Sequence, residues 1–194
     1  MKALLGILVA LPIAAFAGQY EDGLRHLERR SYEKAATAFR AAAADGNAAA
    51  ERQLGFMHYR GTGIEQNTTR AVSWFEKAAR HGDLESQVNL GQMYENGLSV
   101  AQDEVKSAYW FRLAAEQGDR RAQLRFGEIA FMGSGVVRDR AEAVKWWHLA
   151  TEPEDELSRQ LRRMIQSTIA KLPAEVVEDG IGRAGVWKAA RAVK

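Results

Sequence analysis

Four histidines, His26, His58, His81 and His148, are the side chains best suited to metal ligation or proton transfer, yet none falls in the H-E-x-x-H pattern that puts two imidazoles on one helix face. They read as ordinary helix residues. His58 replaces a packed tyrosine, and His81 sits in a last helical turn, where positive charge suits the macrodipole. The sequence has no cysteine, which removes thiolate ligands, disulfides and a lipidated N-terminal cysteine together. No metal and no cofactor is expected. Ser31-Tyr32-Glu33-Lys34 matches S-x-x-K, the nucleophile motif of penicillin-recognising enzymes, but neither S-D-N nor K-T-G accompanies it. Ser31 is instead predicted to cap a helix. Gly61-Thr62-Gly63 lacks the lysine and the length of a phosphate loop, and Asn67-Thr68-Thr69 is a glycosylation sequon that matters only in a eukaryotic secretory route.

Charge narrows the partner class. Lys plus Arg number 27 against 25 Asp plus Glu, so the +2 balance offers no excess for a polyanion. Arg112, Arg120, Arg121 and Arg125 form a basic stretch, and 156–194 carries eight cations against four anions; such modest clusters are read as solvated faces, and no nucleic acid is expected. With 46% apolar residues the chain should fold, and its 3 prolines with abundant alanine favour helices over strands. Residues 1–17 have an early Lys2, an apolar run to Phe16 broken by Pro12, and an Ala15-Phe16-Ala17 end, the pattern of a secretory signal peptide cleaved after Ala17. The run is too short for a membrane span, so no stable membrane anchor is expected and the mature chain should be periplasmic or secreted.

The elements that must position any site come from a gapless 36-residue period over 48–83, 84–119 and 120–155. Aligned columns read Leu54/Leu90/Phe126, Gly55/Gly91/Gly127, Gly61/Gly97/Gly133, Trp74/Trp110/Trp146, Phe75/Phe111/Trp147 and Ala78/Ala114/Ala150. Apolar residues at three- and four-residue steps make each unit two helices joined by a glycine-bearing loop. Asn47, Asp83, Asp119 and Asp155 are expected to cap first helices, and Asn67, Asp103 and Asp139 second helices, with Asp139 and Glu142 spaced as a capping box. Gly46, Gly82 and Gly118 should reverse the chain after helix ends. The mid-helix glycines predict close helix approach, with the Trp74, Trp110 and Trp146 column as wedge. A shorter hairpin over 18–47 precedes the units, and 156–194 should form two capping helices, giving an all-α single repeat domain over 18–194 with about five helical hairpins.

These columns resemble the Sel-one-like repeat family, a relative of tetratricopeptide repeats: Ala50, Leu54, Gly55, Gly61, Gly63, Ile64, Asn67, Ala71, Trp74, Ala78, Ala79 and Gly82 follow its pattern, with His58 in place of its tyrosine, as do Leu90, Gly91, Tyr94, Gly97, Asp103, Trp110 and Gly118 in the next unit. The resemblance implies a right-handed α-α superhelix, or solenoid, acting as a non-catalytic adaptor that binds a protein or peptide in the envelope. Tetratricopeptide geometry then places the partner on a concave face of first-helix residues: Arg52, Phe56, Tyr59 and Arg60; Val88, Gln92, Glu95 and Asn96; Leu124, Glu128, Phe131 and Met132. Phe56, Tyr59 and Phe131 are the expected exposed anchors. The competing reading is a cell-wall enzyme or glycan-binding protein using Ser31.

Overall fold

The computed structural model describes the backbone of residues 14–152 and 155–192, with side chains from residue 18. The expected signal peptide therefore lies mostly outside the described residues, and α1 begins at Ala14. All regular structure among them is helical, in ten elements: α1 (Ala14–Glu28), α2 (Tyr32–Ala44), α3 (Ala48–Arg60), α4 (Thr68–Arg80), α5 (Leu84–Asn96), α6 (Glu104–Glu116), α7 (Arg120–Met132), α8 (Arg140–Thr151), α9 (Glu156–Ile169) and α10 (Ala174–Ala192). They form two compact units that meet in sequence at Asp83–Leu84. In the first, α1 pairs with α2 and α3 with α4; in the second, α5 pairs with α6 and α7 with α8.

Side-chain caps fix where these helices start. Asn47, Asn67, Asp103, Asp119, Asp139 and Asp155 each accept a hydrogen bond from the amide three residues on, at 2.7–3.0 Å, satisfying a donor the helix leaves unpaired. Two cap expectations fail. Ser31 stands at the N-cap position of α2, but its side chain makes no cap bond, because its backbone there is not in the extended conformation that aims a side-chain oxygen at the first turn. Glu142 does not close a capping box with Asp139: its carboxylate accepts instead from Trp146 Nε1 at 2.7 Å and Lys145 Nζ at 2.8 Å.

The mid-helix glycines are notches, as their cost in helix propensity predicts, but the wedge is the neighbouring column. A Cβ on Gly55 would lie 2.7 Å from the Phe75 ring, on Gly91 2.9 Å from Phe111, and on Gly127 2.5 Å from Trp147 Nε1. Trp74, Trp110 and Trp146 sit one residue earlier, about 100° around the helix, and face other neighbours; Trp146, for example, packs edge-on against Phe126. Inside the second repeat, buried Ser107 donates to the Gly91 carbonyl at 3.0 Å, holding α5 and α6 together at the notch.

A second cross-hairpin contact changes chemistry between copies. In the first repeat the carboxylate of Glu51, 2% exposed, meets His81 Nδ1 at 2.7 Å. At the aligned place in the second, Gln117 Nε2 donates to Gln87 Oε1 at 2.8 Å. The interhelical loops are fixed more uniformly. Gly63 and Gly135 adopt φ of +69° and +71°, open to glycine at little cost. A Cβ on Gly63 would also collide with Tyr32 at the start of α2, and one on Gly135 with the Glu104 backbone at the start of α6.

The last two helices depart from the hairpin expectation. α10 lies against α8 and α9 touches α8 more lightly, while α9 and α10 do not pack on each other as a hairpin. Carrying the 36-residue register one step further explains this: the glycine column continues as Arg163 and the aromatic column as Arg183, and two guanidinium groups cannot replace a ring seated in a notch. α10 has its own close approach, since a Cβ on Gly180 would meet Val144 Cβ at 2.6 Å and the Ala141 carbonyl at 2.7 Å. Ala184 is buried beside it, Trp187 stacks edge-on to Trp146, and Arg183 bonds Asp139 at 2.8 Å. α9 is tied by polar bridges: Arg120 donates to Asp155 Oδ2 and Ser158 Oγ, both at 2.7 Å, and Arg162 donates to the Thr151 carbonyl at 2.7 Å.

Candidate functional site

The outward positions of the first helices carry the expected partner surface, and the structure sorts them into three kinds. On α3, Tyr59 is 45% exposed, whereas Phe56 is half-buried, edge-on to Phe75 with centroids 5.1 Å apart, and covered on its other side by the Arg60 guanidinium at 5.3 Å. Arg52 is half-buried in an ion pair with Asp83 at 3.4 Å. Phe56 is therefore packing for the notch aromatic before it is an anchor.

In the second unit Val88 is a core residue, 6% exposed, and lines no open surface. The expectation fails there because the face of α5 that carries Val88 is covered by its own unit's core. Leu124 and Phe131 are half-buried against Ala130, Ala143 and Trp147. Phe131 lies 5.5 Å from the Trp147 ring, and Arg138 and Arg140 sit over it at 5.8 and 5.9 Å. Of the three aromatic anchors, only Tyr59 is freely exposed; a spare aromatic beside a notch packs onto the ring that fills it.

Gln92, Glu95, Asn96, Glu128 and Met132 remain on an accessible face. Met132 is 67% exposed. Asn96 donates to the Gln92 carbonyl at 2.9 Å, closing the end of α5. Arg125 lies between two of the predicted carboxylates: its Nε donates to Glu95 at 2.7 Å and its terminal nitrogens bond Glu95 and Glu128. Glu95, first among the causes, holds this guanidinium above its ordinary pKa against the cost of desolvation. Glu95, Glu104, Arg125, Glu128 and Met132 line a hollow of about 190 Å³ on this face. Sequence reading placed Arg125 in a basic cluster facing solvent. Its position three residues before Glu128 and 30 after Glu95, on the neighbouring first helix, was the signal for an ion-paired bridge. Arg120 and Arg112 are likewise paired, with Asp155 and Glu116.

The chemistry-bearing residues do not converge. His58 is buried with Nδ1 3.3 Å from the Glu65 carbonyl, and His81 belongs to the Glu51 contact. Among the described residues no group of three His, Asp or Glu side chains is arranged to hold a metal ion, and no helix is long and apolar enough to cross a membrane.

Comparison with known proteins agrees with this geometry. The Sel1 repeat model matches residues 48–83, 84–119 and 120–152, the phase of the internal period. A protective antigen present in uropathogenic Escherichia coli strains, whose crystal structure displays an SLR fold, is 37% identical with a TM-score of 0.67 over 79% of this chain and 34% of that one. A Sel1 repeat protein from Oxalobacter formigenes is 30% identical with a TM-score of 0.69, covering 77% of this chain and 44% of that one. The chain thus spans between a third and a half of these solved relatives. No curated protein matches it. Sel1 repeat proteins are typically protein–protein interaction scaffolds and generally non-catalytic. With its caps, notches and loops recurring in three matched copies, the chain belongs to the Sel1 repeat family.

Proposed function

We propose that this chain is a non-catalytic scaffold of the bacterial cell envelope that holds a peptide or protein segment on the exposed faces of its first helices. The carrying observation is the contrast between columns. The notch glycines are invariant across the copies, while the outward positions read Phe56/Gln92/Glu128, Tyr59/Glu95/Phe131 and Arg60/Asn96/Met132. Phe56 and Phe131 pack on the notch aromatics; the positions left accessible, Tyr59 and Arg60, then Gln92, Glu95 and Asn96, then Glu128 and Met132, are where a binding surface can differ from repeat to repeat. The hollow beside α5 and α7 offers carboxylates, a fixed guanidinium and the adaptable thioether of Met132, a mixture suited to a polar segment with one apolar side chain. The envelope location rests on the leader pattern of residues 1–17.

The test is capture from envelope extract with wild-type protein and with Tyr59→Ala combined with Met132→Ala. Both side chains are exposed, so the double variant should melt with the wild type while losing captured partners. An unchanged set of captured proteins would refute this surface. Recovery of the full-length chain from the cytoplasmic fraction alone would refute the location.

A further inference from the structure

An apolar recess of the second unit lies away from the first-helix surface, over α8 between α9 and α10. Its volume is about 330 Å³. Val144 and Thr151 form its floor, Ile165 and Ile169 one wall, Val177 and Ile181 the other. It lies where α9 and α10 each rest on α8 without packing on each other as a hairpin; its floor residues Val144 and Thr151 are buried, and its accessible apolar surface comes from the two walls. α9 is strongly two-faced, yet Ser158 is the one residue of this helix that is fully buried, and Ile181 on the facing wall is 45% exposed. This apolar face has the character of half an interface.

We infer that this groove docks an amphipathic helical segment of a partner protein, acidic along the flank that faces α9. Its length points to a helix. Val144 to Thr151 spans seven residues, about 11 Å or two helical turns, and the walls present helix sides whose backbone groups are already paired, so a strand finds no ladder to extend. The charge requirement comes from the lining. The ionisable groups in the groove are Arg162 and His148, and no carboxylate lines it. Beyond the rim, α9 carries Arg159 and Arg163, their side chains 63% and 71% exposed, against the single carboxylate of Glu156. An apolar helix edged with glutamate or aspartate meets this arrangement, and one edged with lysine is repelled.

The test uses the full chain and a fluorescent synthetic helix with leucines at i, i+3, i+4 and i+7 and glutamates along one flank. A second peptide carries lysines in place of the glutamates. Fluorescence anisotropy should give saturable binding of the acidic peptide, weakened about tenfold or more by Ile181→Glu, by Arg159→Glu, or by the change to lysine. Both substituted side chains are exposed and the variants should keep the wild-type helical signal; Ile181→Ala, with an intermediate loss, covers the case in which Ile181→Glu disturbs α10. Tyr59→Ala, in the other unit, should bind like the wild type, which separates this groove from the first-helix surface. Equal binding of the two peptides, or wild-type binding by Ile181→Glu, overturns the inference. A wild-type dimer in sedimentation that Ile181→Glu converts to monomer also overturns it, in favour of a second copy of the chain as occupant.

Discussion

The same substitution, glycine to alanine in a helix interior, should act unequally at two places in this chain. Replacing a mid-helix glycine by alanine gains about 1 kcal/mol from helix propensity alone. At Gly182 in α10 a new Cβ would meet nothing within 4 Å, so most of that gain should appear as stability. At Gly127 it would lie 2.5 Å from Trp147 Nε1, 2.6 Å from Trp147 Cδ1 and 3.3 Å from the Ala143 carbonyl. Trp147 is 3% exposed and has no room to retreat, so the overlap should cost about 1–3 kcal/mol. The propensity contribution is common to both variants, so the difference between them isolates the overlap. At about 2–4 °C per kcal/mol for a chain of this size, Gly127→Ala should melt several degrees below Gly182→Ala. Thermal unfolding followed by far-ultraviolet circular dichroism with calorimetry would measure it. If Gly127→Ala melts with or above Gly182→Ala, the ring does not need the notch, and close approach is not why the glycine stands there.

Three further outcomes follow from individual contacts. Arg120, and after it the Ser158 amide, hold the Asp155 carboxyl well below the usual carboxylate range; a depressed acid adds stability above its unfolded pKa of about 3.9 and loses it as pH falls toward the folded value. The difference in melting temperature between wild type and Asp155→Asn should therefore shrink as the pH is lowered from 7 to below 4. His81→Ala leaves the buried Glu51 carboxylate without its 2.7 Å partner and should cost about 1–3 kcal/mol in urea denaturation, while Glu51→Gln with His81→Gln, which copies the Gln87–Gln117 contact, should recover most of it. Ser31→Ala should stay within about 0.5 kcal/mol of wild type, whereas Asp119→Ala, which removes a 2.8 Å cap bond to Ala122, should cost about 1 kcal/mol.

What could be read from residues alone was the part governed by local chemistry. Helix starts follow Asn and Asp because a short side-chain oxygen reaches an unpaired amide wherever the backbone allows it, and the period then repeats those starts. The notch was legible for the same reason: an unexplained glycine in a helix implies a close neighbour. Which neighbour was not legible. Phe75 and Trp74 are adjacent in sequence and both aromatic, and only the rotation of α4 against α3 decides which of them faces Gly55. Val88 was placed on an open face by analogy with another repeat geometry, and Phe56 and Phe131 were taken as exposed because the packing of one spare ring on another depends on distances that a column alignment does not contain. The ending of the repeats was written in the sequence, in Arg163 and Arg183 at the notch register. Recognising it required asking what a failed repeat looks like as well as a kept one.

The glycines at 63 and 135 act as shims. Each holds one edge of a hairpin against the backbone at the start of the preceding second helix, so the gap there is set by an absent methyl group. Substituting alanine would open that edge by about 1.5 Å, one carbon–carbon bond. Across a helical layer about 10 Å thick, this is a tilt of about 9° between successive hairpins. The spacing of the outward side chains on the first helices within each unit, and with it the length of segment they can grip at once, is thus tuned by single atoms in the loops that directly follow those helices.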